Sequence, residues 1–374
     1  MGLKPGRHIE AIEPYTPGKP LEELERELGI RDAVKLASNE NPLGPSRKAL
    51  AALRRGLTTL HRYPEGSGRL LREALAVKFK LKPEQVLLGN GSDEVMDLAA
   101  KAYLAPGDEA ILADRTFAIY RMAVLAHHGR PVVVPLRAGR HDLEAMARRV
   151  TRRTRLVFVC NPNNPTGTMV GRRDLERLLD RLPAAVLVVL DEAYAEYASD
   201  PDFPDCGRLI RAGRSVLALR TFSKLYALAG LRIGFGLGPS AVIAALNRIR
   251  LPFNTNRLAQ VAALAALADE PHVARSLELN RAGRAYLCAE FDRLQLPYQP
   301  SQANFVYVDV GRDGAAVYQR LLHAGVIVRH IDGSWLRVSV GLARENQRFV
   351  RALGNVLKNP GGGRREAWES GSYL

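Results

Sequence analysis

The stretch that decides the fold reads Arg220-Thr-Phe-Ser-Lys-Leu-Tyr-Ala-Leu-Ala-Gly-Leu-Arg-Ile-Gly-Phe235 and follows an apolar, strand-like run. It places one lysine, Lys224, behind the hydroxyls of Thr221 and Ser223. A guanidinium, that of Arg232, follows in the same stretch. A lysine that forms a Schiff base with a carbonyl compound needs a fixed position, and a phosphate group is bound by hydroxyls and a guanidinium. Taken alone, the stretch is equally compatible with a surface lysine on a turn between a strand and a helix.

The composition is that of an ordinary globular protein. The 374 residues can bury a large core and are long enough for about two domains. Hydrophobic residues make up 47% of the chain and charged residues 25%, which argues against disorder. The first residues lack the apolar core of a secretory signal, and the longest apolar runs, such as residues 184–190, are too short to span a bilayer. We therefore predict a cytoplasmic protein with no membrane partner.

The charge and the cysteines narrow the range of functions. The net charge of +15 is compatible with nucleic acid, with an anionic substrate or with an arginine-rich proteome. The basic residues are scattered through helical segments without interleaved aromatic residues, so no specific nucleic-acid partner is predicted. The cysteines, Cys160, Cys206 and Cys288, are widely spaced and odd in number, which indicates neither a disulfide framework nor a metal site.

Short apolar runs alternate with amphipathic ones over much of the chain. The strand candidates are residues 86–88, 110–113, 131–135, 156–160, 186–190, 216–219 and 233–237. Helical patterns lie between most of them, as at residues 93–104, 142–150 and 173–181. This alternation predicts an α/β fold whose large domain has three layers, with a mainly parallel sheet covered on both faces. Ligands of such sheets bind at the carboxyl ends of the strands.

The pattern changes after residue 252 and predicts a smaller α+β domain. The predicted elements there are helices at 257–267, 273–294 and 345–357 and strands at 304–309, 326–329 and 335–340. We expect an N-terminal arm that completes the small domain, a large ligand-binding domain, a small C-terminal domain and a disordered tail; their bounds are residues 1–45, 46–252, 253–358 and 359–374.

Polar motifs follow several predicted strands. Gly89-Asn-Gly-Ser-Asp-Glu94 opens a helix, where the backbone N–H groups of Gly91, Ser92 and Asp93 would make an anion site. A Gly-Asn-Gly turn is common, so a plain turn is an equal alternative. Asn161-Pro-Asn-Asn-Pro-Thr-Gly167 follows a second strand, and its two prolines fix a loop that can present an asparagine amide to an anionic oxygen.

A third motif, Asp191-Glu-Ala-Tyr194, ends a buried apolar strand. An aspartate in this position is costly to ionise unless a cation pairs with it. A protonated ring nitrogen of a cofactor is one such cation, with Tyr194 bonding a phenolic oxygen of the same ring. A structural ion pair with one of the many arginines is the alternative.

Together these motifs resemble the fold-type I aminotransferases that depend on pyridoxal 5'-phosphate (PLP), and more narrowly the histidinol-phosphate aminotransferase family. The resemblance covers nearly everything between Pro14 and Leu357. Its further segments are Pro14-Tyr-Thr-Pro-Gly-Lys-Pro20, Leu36-Ala-Ser-Asn-Glu-Asn-Pro-Leu-Gly-Pro45, Arg62-Tyr-Pro64, Pro252-Phe-Asn254 and Leu336-Arg-Val-Ser-Val-Gly341. The combination is specific for the superfamily and less specific for the substrate.

The resemblance implies a role for each motif residue. Lys224 would bind PLP covalently and move protons, and Asp191 would keep the pyridine nitrogen protonated. Asn164 and Tyr194 would bond the phenolic oxygen O3', and Phe117 would stack on the ring. The phosphate would be cradled by loop backbone and side chains at Gly91, Ser92, Asp93, Thr221, Ser223 and Arg232.

The resemblance also implies partners. Tyr63 would reach the phosphate from the neighbouring subunit, so the active protein would be a homodimer with shared sites. Arg337 and Arg329 match the arginines that bind substrate anions, and Arg337 suits a carboxylate through a bidentate fork. Tyr15 would join the substrate pocket.

Two departures from the family pattern concern the neighbourhood of the substrate. Arg115 precedes Thr116 and Phe117 where the family usually has a proline, so we expect a different local turn. The connection at residues 330–336 is shorter than in many relatives, which bears on side-chain preference.

The implied reaction is a ping-pong transamination in which an amino donor gives its nitrogen to PLP and a 2-oxo acid receives it. We expect histidinol phosphate and 2-oxoglutarate to be interconverted with imidazole-acetol phosphate and glutamate, as in histidine biosynthesis. A broad aromatic-amino-acid aminotransferase and a threonine-phosphate decarboxylase are alternatives, since they share the cofactor residues. A PLP-binding regulatory domain attached to a DNA-binding module is the alternative from another class.

Overall fold

The computed structural model describes residues 3–358, so the tail predicted to be disordered lies outside the described residues. Thirteen strands are present in this range. They are β1 (Val34–Lys35), β2 (Val86–Gly89), β3 (Glu109–Ala113), β4 (Arg130–Val134), β5 (Thr154–Cys160), β6 (Leu187–Asp191), β7 (Val216–Thr221), β8 (Gly234–Leu237), β9 (Tyr298–Gln299), β10 (Phe305–Asp309), β11 (Val326–Ile327), β12 (Arg329–Asp332) and β13 (Trp335–Ser339).

Fourteen α-helices in the same range connect and cover these strands. They are α1 (Arg7–Glu10), α2 (Leu21–Leu28), α3 (Arg47–Gly56), α4 (Arg69–Phe79), α5 (Ser92–Tyr103), α6 (Ile119–Ala126), α7 (Leu143–Arg148), α8 (Arg172–Arg181), α9 (Cys206–Arg211), α10 (Ser240–Ile249), α11 (Arg257–Leu267), α12 (Glu270–Arg293), α13 (Gly314–His323) and α14 (Ala343–Lys358). None of these helices combines the length and the apolar character needed to cross a lipid bilayer.

The large sheet has seven strands in the order β2-β8-β7-β6-β5-β3-β4. Each corresponds to one strand predicted from the alternating pattern. Only β8 runs against its neighbours, pairing antiparallel with β2 and β7, and the other neighbouring pairs are parallel. The prediction of an α/β fold with a mainly parallel sheet is therefore confirmed.

Both faces of the large sheet are covered, as its apolar strands require. Along β5, Val157 and Val159 belong to one buried cluster, whereas Leu156 and Phe158 belong to a second one on the opposite face. Successive side chains of a strand point to opposite faces, so a strand that is apolar throughout must be buried on both. The three layers follow from this pattern.

A second, antiparallel sheet has the order β12-β13-β10-β9. It packs with α12, α13 and α14 around a separate buried cluster that includes Val306, Leu336 and Phe349. The strand predicted at residues 326–329 is divided here, because β11 pairs instead with β1 of the N-terminal segment and only β12 joins this sheet. The connection at residues 330–336 is a tight hairpin between β12 and β13.

The N-terminal segment and α11 complete the packing around the sheets. β1 pairs in parallel with β11, and the Ser46 side chain caps α3 by accepting from the backbone N–H of Ala49. Helix α11 packs against α3 and buries alanines in the cluster beneath the large sheet. The domain bounds given above stay a prediction.

Candidate active site

A cavity of about 330 Å³ lies where the carboxyl ends of the parallel strands meet the second sheet and the N-terminal segment. Because β2, β5, β6 and β7 run in one direction, the motifs that follow them reach the same edge of the sheet. Thirteen of the fifteen predicted site residues line this cavity. They are Tyr15, Ser92, Asp93, Phe117, Asn164, Asp191, Tyr194, Thr221, Ser223, Lys224, Arg232, Arg329 and Arg337.

The other two predicted residues lie outside the lining. Gly91 is the N-cap of α5. Its backbone N–H donates to the carbonyl oxygen of the lining residue Arg232 at 3.0 Å. Tyr63 is an exposed side chain, 78% accessible, that stacks on Phe253 with ring centroids 4.6 Å apart. An exposed position in one chain is what the predicted reach into a neighbouring subunit requires.

Lys224 stands in the turn after β7, with its amine facing the cavity. Its Nζ donates to the backbone carbonyl of Ser38 at 3.0 Å, and no carboxylate lies within ion-pair distance among residues 3–358. Burial, together with the guanidinium of Arg337, lowers the pKa of this amine from 10.5 to about 8. About a tenth of the amine is therefore neutral, and nucleophilic, at pH 7.

Asp191 ends β6 and is only 6% exposed. Its carboxylate accepts from the Tyr120 hydroxyl at 2.5 Å and from the backbone N–H of Ala193 at 3.1 Å. In the described part of the chain no Lys, Arg or His forms an ion pair with it, so the alternative of a structural ion pair fails. Burial raises the pKa of Asp191 from 3.8 to about 6. A buried carboxylate on the wall of a cavity, without a protein cation, suits a cationic ring nitrogen of a ligand.

Arg337 lies on β13 and is 7% exposed. Its Nη1 donates to Oδ1 of Asn164 at 2.6 Å and its Nη2 donates to the carbonyl of Ala37 at 2.5 Å. The Nε atom is buried with no hydrogen-bond partner among residues 3–358. Burial lowers the pKa of Arg337 because it disfavours the charged guanidinium. No carboxylate of the described residues forms an ion pair with it to offset this effect. A buried guanidinium with an unused donor fits a bidentate anion.

The same contact orients Asn164. Its Oδ1 accepts from Arg337, so its Nδ2 is left as the donor, and within the described range that nitrogen has no protein acceptor. Asn164 lines the cavity at the end of β5. The amide donor predicted from the asparagine loop is therefore present in the orientation that an anionic oxygen needs.

The start of α5 forms an anion-binding corner. No side chain of the described residues caps this helix, and the Gly91 N–H donates to the Arg232 carbonyl oxygen at 3.0 Å, which leaves the N–H groups of Ser92 and Asp93 for a ligand. Gly91 has a φ of 77°, and a Cβ there would lie 2.6 Å from Nη2 of Arg232. Arg232 in turn lies 3.2 Å from the Asp93 carboxylate and 3.5 Å from the Ser223 hydroxyl. Free N–H groups beside a guanidinium and a hydroxyl are a donor set for a phosphate.

The N-terminal segment reaches the mouth of the cavity. Arg329 donates from Nη2 to the carbonyl of Thr16 at 2.6 Å, and its Cζ lies 5.7 Å from the centroid of the Tyr15 ring. Tyr15 meets Phe117 edge-on at 6.4 Å. Tyr15 and Arg329 are thus brought together beside the aromatic residue predicted to stack on the cofactor.

The two departures from the family pattern meet in space. Arg115 Nη1 lies 3.9 Å from Oδ2 of Asp332, at the hairpin between β12 and β13. Asp332 also accepts from the Tyr307 hydroxyl at 2.8 Å. Both ends of the Arg115–Asp332 pair are about half exposed, so its contribution to stability is small.

Several residues of the site were missed by sequence reasoning. Tyr120 follows the pattern of an ordinary core residue of α6, yet its hydroxyl donates to Asp191. Cys160 follows the pattern of the apolar end of β5, yet it lines the cavity. Asn39 donates to the Tyr194 hydroxyl at 2.9 Å. Its only sequence signal is its position in the segment Leu36–Pro45, which matches the family without indicating a contact.

Comparison with known proteins settles the family. The sequence matches the profile of the aminotransferase class I and II family over residues 31–353. The chain belongs to this family. An aminotransferase of this family, histidinol-phosphate aminotransferase of Moorella thermoacetica, is 51% identical over 354 residues, which cover 93% of this chain and 92% of the relative. Histidinol-phosphate aminotransferase 2 of Pseudomonas aeruginosa is 51% identical over 355 residues, covering 93% and 96% of the two chains.

Solved aminotransferase structures agree in fold. The crystal structure of histidinol-phosphate aminotransferase from Sinorhizobium meliloti in complex with pyridoxal-5'-phosphate has a TM-score of 0.87 at 30% identity and covers 94% of this chain and 97% of that one. The site of the present chain also fits PLP by its own chemistry. It combines a buried carboxylate without a cationic partner in residues 3–358, an amine of lowered pKa and a phosphate-type corner around one cavity.

Proposed function

We propose that this protein is a PLP-dependent aminotransferase that interconverts histidinol phosphate and 2-oxoglutarate with imidazole-acetol phosphate and glutamate. The observation that carries the proposal is Asp191, a buried carboxylate without a cation among the described residues, which lines the same cavity as Lys224. The substrate assignment is supported by relatives that bear the name histidinol-phosphate aminotransferase at 51% identity over most of both chains.

The proposed roles of the cofactor residues follow from their donors and charges. Asp191 would hold a proton at the pyridine nitrogen, and Asn164 and Tyr194 would bond the phenolic oxygen. When bound, PLP supplies an electron-withdrawing ring that makes the proton on the substrate Cα removable. The phosphate would be held by the N–H groups at the start of α5 and by nearby side chains; these residues are Ser92, Asp93, Thr221, Ser223 and Arg232. The N–H of Gly91, predicted as a further donor, is bonded to the Arg232 carbonyl, and Gly91 instead leaves room for the Arg232 guanidinium.

Lys224 would move the proton at the substrate Cα. An amine is an effective base when its pKa lies near the working pH, and burial has brought the pKa of Lys224 to about 8. The guanidinium of Arg337 contributes to this lowering. The arginine predicted to bind the substrate anion therefore also favours the neutral form of the base.

Arg337 would bind the anionic group of each substrate in turn. Histidinol phosphate presents a tetrahedral phosphate and glutamate a planar carboxylate, and each offers two oxygens that a guanidinium fork can bind. The unused Nε and the shielded position on β13 support this role. Arg329 and Tyr15 would complete the substrate side of the cavity at its mouth.

A homodimer with shared sites forms part of the proposal. Large apolar side chains are exposed on one chain, including those at Leu57, Leu60, Tyr63, Leu251 and Phe253. Exposed apolar groups of this kind are typical of subunit interfaces. We place the dimer in the cytoplasm, with small-molecule substrates and without a specific nucleic-acid or membrane partner.

The proposal is tested by the products of steady-state turnover. Purified, PLP-loaded protein is incubated with 2-oxoglutarate and either L-histidinol phosphate or L-phenylalanine, and glutamate is measured. We expect rapid glutamate formation with histidinol phosphate and slow formation with phenylalanine. Faster turnover of phenylalanine would contradict the substrate assignment, and CO2 release from L-threonine phosphate would contradict the reaction. A threonine-phosphate decarboxylase from Porphyromonas gingivalis, at 21% identity, shares the fold alone.

A further inference from the structure

Asn39 lies in the segment between β1 and α3 and has no assigned role. It is 1% exposed and has a φ of 54°, a left-handed conformation that asparagine tolerates better than most residues. Its Nδ2 donates to the hydroxyl oxygen of Tyr194 at 2.9 Å. The buried amide is thus in contact with one of the residues proposed to bond the cofactor.

The orientation of the Asn39 amide is fixed by Ser339 on β13. The backbone N–H of Asn39 donates to Ser339 Oγ at 2.9 Å, and Ser339 Oγ donates to Oδ1 of Asn39 at 2.8 Å. A hydroxyl has a single hydrogen to donate, and here it goes to Oδ1. After rotation of the amide by a half turn, Nδ2 would donate to Ser339 Oγ, and the buried Ser339 hydroxyl would have no acceptor for its own hydrogen among the described residues. The orientation with Nδ2 facing Tyr194 is therefore favoured.

This orientation determines the polarity of the Tyr194 hydroxyl. Its oxygen accepts from Asn39, and in the described part of the chain its own hydrogen has no acceptor. Burial raises the pKa of Tyr194, so the hydroxyl keeps its hydrogen at neutral pH. Tyr194 is 4% exposed and lines the cavity. The free hydrogen is therefore available to an oxygen of a bound ligand.

We propose that Asn39 is a positioning residue that fixes Tyr194 as a hydrogen-bond donor to the phenolic oxygen of PLP. The inference rests on the proposed function. A donor that receives a hydrogen bond on its own oxygen donates more strongly, since hydrogen bonds in a chain polarise one another. A strong donor favours the unprotonated form of the phenolic oxygen. Loss of Asn39 would therefore raise the pH at which the visible absorbance of bound PLP changes.

The test is a pH titration of the visible absorbance of the PLP-loaded protein. Asn39→Gly removes the amide and tolerates the left-handed backbone. We expect it to raise the titration midpoint by up to about one pH unit, a tenfold change, as the loss of one hydrogen bond allows. Tyr194→Phe should shift the midpoint in the same direction, and the double variant should shift it no further than Tyr194→Phe alone.

Two further variants separate a specific effect of the Asn39 amide from a nonspecific disturbance of the structure around it. Asn304→Ala removes the donor to the Asn39 backbone carbonyl at 2.9 Å but leaves the Asn39 amide in place, and it should leave the midpoint unchanged. Ser339→Ala frees the amide to rotate and should give a smaller upward shift than Asn39→Gly. This variant also carries the test if Asn39→Gly fails to fold. The charged or titratable groups that face Tyr194 stay intact throughout: Lys224, Arg337, Asp191 and Cys160.

The outcomes are distinct from those of the proposed function. An unchanged midpoint in Asn39→Gly, an equal shift in Asn304→Ala or an additive shift in the double variant would overturn the role of Asn39. If the wild type shows these absorbance changes and turns over histidinol phosphate, such a result leaves the proposed function intact. A wild type without any PLP absorbance would overturn both.

Discussion

The guanidinium of Arg337 lies 2.6 Å from Oδ1 of Asn164, across 173 residues of sequence. This contact joins the second sheet to the loop that follows β5 in the large sheet. It ties the residue proposed to bind the substrate anion to a residue proposed to bond the cofactor.

Arg337→Lys keeps the positive charge but removes the fork. We expect kcat/KM for both glutamate and histidinol phosphate to fall by about 100-fold, in line with the loss of a buried charge-assisted contact. PLP should still bind, since the phosphate corner and Lys224 are present in the variant. Steady-state kinetics with each amino donor provide the measurement.

Arg284→Lys is the matched control for this change. Arg284 is a partly buried arginine that donates to the carbonyl of Ala303 at 3.1 Å and does not line the cavity. Its kinetics should match those of the wild type. A loss confined to one of the two donors in Arg337→Lys would contradict a shared anion site.

Asp191→Asn should change how stability depends on pH in the PLP-free protein. The pKa of Asp191 is raised from 3.8 to about 6 in the fold, so between these values the folded chain binds more protons than the unfolded chain. Its contribution to stability is thus lost as pH rises through this window. Between pH 5 and pH 7 the wild type should lose about 1 kcal/mol of unfolding free energy relative to Asp191→Asn.

Urea unfolding at a series of pH values measures this difference. The comparison removes the effects of other groups, because they are common to both proteins. The two stability curves should approach their final separation above pH 7, where Asp191 is ionised in both states. Parallel curves from pH 5 to pH 7 would show that Asp191 is not destabilised by burial.

Mixing two defective variants, at a PLP concentration too low to saturate Tyr63→Ala, tests whether the active sites are shared. Lys224→Ala should abolish turnover, and Tyr63→Ala should weaken the binding of PLP in the neighbouring subunit. A hybrid dimer then has one site with both defects and one site with neither. After subunit exchange at equal concentrations we expect about a quarter of wild-type activity, since half of the dimers are hybrids.

Sites that lie within single subunits would give no recovery on mixing. Lys48→Ala, combined with Tyr63→Ala in the same way, is the control. Lys48 is exposed, its Nζ donates to the carbonyl of Ala268 at 3.0 Å, and it does not line the cavity, so its variant should be active before mixing.

Local sequence patterns predicted the sheet and the strand-end motifs. The seven strands of the large sheet are apolar runs separated by helical patterns, and Lys224, Asp191 and Asn164 each follow such a run. Polar residues at the ends of parallel strands must converge at one edge, which is why most predicted residues line one cavity. The direction of β8 could not be predicted, because an antiparallel strand between buried neighbours is as apolar as a parallel one.

Contacts between distant segments could not be predicted from local sequence patterns. Asn39 and Ser339 are 300 residues apart, and no local pattern indicates that they pair. Tyr120 follows the apolar periodicity of α6, so its hydroxyl bond to Asp191 had no separate signal. Asp191 also forms no ion pair with a Lys, Arg or His side chain of the described residues, and the sequence alone left that question open. These features depend on how the N-terminal segment and the second sheet pack on the large sheet.

Single-turnover absorbance of the PLP-loaded protein tests the proposed transamination of histidinol phosphate most directly. The protein is mixed, without any 2-oxo acid, with L-histidinol phosphate, L-phenylalanine or L-threonine phosphate. We predict rapid and complete conversion of the bound PLP to its amino form with histidinol phosphate, and much slower conversion with the other two. Equal or faster conversion by phenylalanine, or no spectral change with histidinol phosphate, would contradict the assignment of histidinol phosphate as the amino donor.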